Sequence, residues 1–156
     1  MRIIKSFRLL EYFLSFFIFI IIISCSEKGT NPADEKFIIP DSNISFYEHI
    51  EPLFNARCGL ESGCHSVEDT DNPLPYSVLI NRNALVNNYQ LSSTGELLID
   101  LSVHKSNPQL APLYLIVAEG YPETYTDRMP PPPYYDPLSD NQIEGIRRWI
   151  GEGAPP

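Results

Sequence analysis

Apolar positions run along this chain in three different patterns. From Tyr12 to Ile23 they are continuous except for Ser15, and Arg2, Lys5 and Arg8 stand before them. A basic start followed by a short apolar run is the pattern of an export signal. The run is also too short for a membrane-spanning helix, which needs ~20 residues. From Ser26 to Asn43 the pattern disappears into polar, turn-forming residues without periodicity, so residues 25–43 read as a flexible tether. At Ser45 helical spacing begins. Ser45 and Glu48 form a capping box, and Phe46, Ile50, Leu53 and Phe54 share one helical face. Pro52 should kink or restart this helix.

Beyond a polar loop from Glu68 to Pro75, a short helix is expected over Ser77 to Val86. Tyr89 to Ser93 and Leu97 to Val103 suggest a short hairpin around Thr94-Gly95, although the second run alternates imperfectly. Asn107 and Pro108 open the next expected helix, which carries Leu110, Leu113, Tyr114 and Val117 and stops at Gly120. A long loop, Tyr121 to Leu138, contains Arg128-Met129 followed by prolines at 130 to 133, which hold an extended, stiff backbone. The last helix starts at Ser139 with Gln142 as its capping-box partner and places Ile143, Ile146, Trp149 and Ile150 on one stripe. Glu144 and Arg148 offer an i, i+4 pair on its solvated face. The expected fold is a small, mainly α domain over residues 44–156 with one long Pro-rich loop.

The 156 residues suit one domain and exclude a large multidomain enzyme. With 11 Lys plus Arg against 20 Asp plus Glu the net charge is -9, which leaves no basic footprint for nucleic acid. The apolar run ends at Ile22-Ile23-Ser24-Cys25, which resembles the lipobox of bacterial lipoproteins. That resemblance implies cleavage after residue 24, lipidation of Cys25, and a membrane-anchored protein at a periplasmic or outer-membrane face. An uncleaved anchor, or cleavage elsewhere with Cys25 incidental, is the other reading. Loss of residues 1–24 removes three basic residues and Glu11, leaving 8 basic and 19 acidic side chains. So acidic a surface serves solubility, or steers the domain toward a basic partner.

Reactive side chains concentrate in Cys58-Gly59-Leu60-Glu61-Ser62-Gly63-Cys64-His65. Covalent haem attachment requires two thiols for two vinyl groups, with an imidazole beside the second thiol to meet the iron; C-x-x-C-H is its usual spelling. Here five residues separate Cys58 from Cys64, with Gly59 and Gly63 permitting the bends of a longer loop. Other chemistries remain open to the same residues. A Cys58–Cys64 disulfide suits an oxidising compartment. A zinc site would lack a fourth ligand nearby, and a nucleophilic cysteine would lack visible partners. The mature chain offers one thioether, Met129, placed directly before the stiff proline run. An ordinary role for Met129 is a hydrophobic plug. His49 and His104 are the other imidazoles, and each reads as a surface histidine.

The order of Ile50-Glu51-Pro52-Leu53-Phe54, Cys58 to His65, Pro112-Leu113-Tyr114, Arg128-Met129-Pro130-Pro131 and Leu138 to Pro155 resembles exported bacterial c-type cytochrome domains, including the Planctomycete-type cytochrome C. The resemblance covers roughly residues 44–155. It implies a cytochrome c-like helical domain with one covalent haem c. Cys58 and Cys64 would be its thioether attachments, His65 its proximal iron ligand and Met129 its distal one, with Phe46, Phe54 and Trp149 in the core. With both axial positions filled, it implies one-electron transfer between redox protein partners and no enzymatic turnover of its own. A reading of another class is a haem-free lipoprotein interaction domain stapled by a Cys58–Cys64 disulfide.

Overall fold

A computed structural model of the chain describes residues 36–59, 65, 74–92, 94–120, 128–130 and 136–156. About half of the described residues are helical, and among them no strand occurs. The mainly α expectation therefore holds. Ala33–Pro156 form one unit and Met1–Pro32 another; the latter, with Cys25 and the segment read as an export signal, lies outside the described residues.

The first helical segment opens where the capping signal lies, but its chemistry differs from the expectation. Ser45 Oγ accepts from Glu48 N at 3.3 Å, while the reciprocal bond to Ser45 N is made by His49 Nδ1 at 3.0 Å and not by Glu48. His49 is thus a half-buried cap partner rather than a free surface side chain. Phe46–Ile50 wind as one π-helical turn, and helix α1 (Glu51–Arg57) follows with Pro52 in its first turn. The expected restart at Pro52 is this change of winding: a proline in the first turn has no N–H to leave unpaired.

The expected helix over 77–86 is divided. Helix α2 (Tyr76–Leu79) and helix α3 (Arg82–Leu85) are separated at Ile80-Asn81, where the Asn81 side chain accepts from Ala84 N and caps α3. A mid-segment Asn competes for the backbone in this way. The hairpin is reduced to a turn. Leu98 N donates to Tyr89 O at 3.0 Å and Leu91 N to Glu96 O at 2.8 Å, with one isolated antiparallel bridge, Gln90 to Leu97. Its second arm ends early because Asp100 accepts from Ser102 N and caps helix α4 (Leu101–His104). The helix expected from Asn107 is also divided. Pro108–Leu110 form a 3₁₀ turn, Ala111 is extended, and helix α5 (Pro112–Ala118) follows. Pro112 disfavours helical backbone at Ala111, which breaks the run, and Leu110 is left exposed.

Helix α6 (Asp140–Gly151) matches its sequence signals most fully. Both arms of the Ser139/Gln142 capping box are present, and Ile146, Trp149 and Ile150 are buried with Ile143 half-buried. Its ion pairs differ from expectation: Glu144 pairs with Arg147, and Arg148 reaches Asp41 at 2.9 Å. Phe46, Phe54 and Trp149 lie in the core, and the Phe46 and Trp149 rings stand 5.6 Å apart. The tail folds back over this contact, with Pro155 O accepting from Phe46 N and from Trp149 Nε1.

Residues 37–44, read in the sequence as tether, lie along α6. Asn141 bonds the Ile39 backbone at both N and O, and Glu152 accepts from Asn43 N at 3.0 Å and Ile44 N at 2.9 Å. Ile39 and Ile44 are buried in the core. The short apolar run Phe37-Ile38-Ile39 and the single Ile44 carry no helical period, so the pattern does not mark this docking.

Candidate functional site

The site is built from the last turn of α1 outward. Cys58 caps α1, donating its N–H to Phe54 O at 2.9 Å, and Gly59 N also donates to Phe54 O at 2.8 Å. Gly59 is needed here for space. A Cβ on it would sit 2.4 Å from Cε2 of Tyr76, closer than a carbon contact permits. The half-buried Cys58 packs against the core. Its carbonyl accepts from His65 N at 2.9 Å, which brings the first cysteine and the histidine of the motif together through the backbone. Cys64 and the rest of the intervening loop lie outside the described residues.

The half-buried His65 places Nδ1 2.8 Å from Leu74 O. A carbonyl only accepts, so Nδ1 carries the proton in this contact and the lone pair of the neutral ring belongs to Nε2. This is the arrangement by which proteins fix a histidine for metal ligation, with one ring nitrogen donating to a carbonyl and the other free to coordinate. The Leu74 carbonyl is itself well held. Leu74 is buried, Pro75 restricts its backbone to extended conformations, and Pro75 O then accepts from Val78 N as α2 begins.

Met129 is half-buried and packs against the same core as Cys58. Its N–H donates to Ile116 O on α5 at 2.8 Å, the Met129–Pro130 peptide is cis, and Pro130 is buried. The remaining prolines of the stiff run, 131–133, lie outside the described residues.

The other histidines are engaged elsewhere. His104 is buried, contrary to its reading as a surface residue, and its Nδ1 accepts from Asp100 N at 2.9 Å. Burial holds its pKa below the ordinary histidine value, against the opposing pull of Asp100 and Glu96. Its place at the end of a four-residue helix hid this from pattern reading. Among the described residues, no three His, Cys, Asp or Glu side chains gather as a metal-holding group, and no helix is long and apolar enough to cross a membrane.

Sequence reading missed Leu74, Tyr76 and Asn55. Leu74 acts through its main chain, and Tyr76 donates its hydroxyl hydrogen to Asn55 Oδ1. Two signals pointed that way: Pro75, which stiffens Leu74, and Gly59, whose missing side chain leaves room for a ring. A scan against protein-family models, a search of the curated proteins and a search of the solved structures each found no match to this chain.

Proposed function

We propose that this protein is a lipid-anchored, monohaem c-type cytochrome domain with a cytochrome c-like fold, passing single electrons between exported or membrane-bound redox proteins. The observation that carries the reading is the 2.8 Å contact from His65 Nδ1 to Leu74 O. It leaves Nε2 as the basic nitrogen of a histidine that directly follows Cys64 and is bonded through its backbone to Cys58.

In this reading Cys58 and Cys64 would hold the haem covalently through their sulfurs, and the haem would supply the redox centre. His65 Nε2 would hold the iron, with the ring oriented by the Leu74 carbonyl. Met129, tied to α5 by its main chain, would offer its soft thioether to the same iron, and a His and Met pair favours the ferrous state. With His65 and Met129 both given to the iron, no ligand position would be left for a substrate, which suits transfer rather than turnover. Cys25 anchors the domain through its lipid, and the acidic surface steers basic partner faces.

The test is to produce the full chain in a bacterial host carrying a c-type maturation system and to purify it from membranes in detergent. The expected product is coloured, shows sharp c-type bands in the reduced-minus-oxidised spectrum, and retains its haem after denaturation. A colourless protein with Cys58 and Cys64 oxidised to a disulfide would overturn the reading in favour of a haem-free interaction domain.

A further inference from the structure

The last turn of α1 holds both partners of the His65 contact. On one side Cys58 O accepts from His65 N at 2.9 Å. On the other, Tyr76 follows Leu74 by two residues, is itself buried, and bonds its hydroxyl to Asn55 Oδ1 on α1. The Tyr76 ring lies where a Cβ on Gly59 would be, so the phenol is seated against the backbone beside Cys58. Pro75 between them allows little backbone freedom. The contacts therefore close a ring: Asn55, Tyr76, Leu74 O, His65 Nδ1, His65 N, Cys58 O, and back along α1.

From this closed path we infer that Tyr76 is a positioning residue: anchored by Asn55 and seated over Gly59, it holds the Leu74 carbonyl against His65 Nδ1 and so keeps Nε2 the free nitrogen of that ring. The consequence of that tautomer for iron rests on the haem reading; the positioning itself does not. Removing the phenolic anchor takes away the tie from α1 that, with Pro75 and the burial of the Leu74 side chain, keeps the Leu74 carbonyl in place. His65 then opens away from it more often.

Solvent exchange of the His65 Nδ1 proton reads that opening directly, by nitrogen-15 NMR on the full chain in detergent. Tyr76→Phe keeps the ring and removes the hydroxyl; Asn55→Ala removes the acceptor. Loss of one hydrogen bond of ordinary net strength should raise the exchange rate roughly fivefold to tenfold in each variant. Tyr47→Phe, at an exposed ring, should leave it unchanged. The Ile150 amide in the core separates positioning from general loosening, and should exchange at the parent rate in all three. An unchanged His65 proton in Tyr76→Phe and Asn55→Ala would overturn the inference, as would an equal acceleration at Ile150. If Tyr76→Phe does not fold, Asn55→Ala decides alone. The measurement is made on the reduced, diamagnetic protein if it is coloured, and on the colourless protein otherwise. A colourless product thus defeats the haem reading without touching Tyr76, and an insensitive His65 defeats the Tyr76 role in a haemoprotein.

Discussion

Replacing Gly145 with alanine should change sign according to what stands at position 39. In the interior of a helix, Gly→Ala stabilises by about 0.5–1 kcal/mol through backbone entropy. Here the new Cβ would meet Ile39 at 2.6 Å from Cγ2, 2.7 Å from Cβ and 2.7 Å from Cδ1. Ile39 has no easy retreat, since Asn141 holds its backbone at both N and O and it is buried. Overpacking of this kind costs about 1–3 kcal/mol. Gly145→Ala alone should therefore destabilise the domain by about 1 kcal/mol or somewhat more. In an Ile39→Gly background all three clashing atoms are gone. The same substitution should then stabilise by about 0.5–1 kcal/mol, a coupling on the order of 2 kcal/mol between the two positions. Urea unfolding followed by the fluorescence of Trp149, the single tryptophan and buried, reads each corner of the cycle. Stabilisation by Gly145→Ala in both backgrounds would refute the docking of residues 37–44 on α6.

Three further outcomes follow from the geometry. Phe46→Ala should cost about 3–5 kcal/mol, because a fully buried ring against Trp149 is lost, and urea unfolding measures it. Glu152→Ala should release the segment before Ser45, seen as faster proteolysis near residues 36–42 while Trp149 stays buried, since the carboxylate holds both Asn43 N and Ile44 N. Stability should fall as pH drops below the ordinary histidine range: burial lowers the His104 pKa, so the unfolded chain binds the proton first. The loss begins near the unfolded value of 6.5 and continues down to the folded one. Asp100, lowered by its bonds to Ser102, adds a loss of the same sign at lower pH. In His104→Gln the histidine part of this slope should vanish from an acid-unfolding series.

What could be read from the sequence followed the strength of local signals. Helix α6 combines a complete capping box with an apolar stripe, and both describe it well. Where two local preferences compete, pattern reading smoothed over the result. Asn81 splits a helix by capping its second half, Pro112 forces Ala111 out of helical backbone, and Asp100 turns an expected strand into a short helix. Interactions that act through the main chain left no trace in side-chain pattern. The Leu74 carbonyl and the Asn141 clamp on Ile39 belong here, joined by residues distant in sequence. Residue type and order singled out Cys58, His65 and Met129 as candidates, of which Cys58 and His65 meet through their main chains. What orients His65 became visible only with the fold.

The central claim is covalent haem at Cys58 and Cys64, and one peptide carries both. Arg57 precedes Cys58 and the next basic residue is Arg82, so trypsin releases Cys58–Arg82 as a single fragment. Mass analysis of that fragment from the full chain, produced with a c-type maturation system, is the most direct measurement. The expected result is the peptide mass plus one haem, joined through both sulfurs. A fragment two hydrogens lighter than its reduced form, with no haem, would contradict the claim.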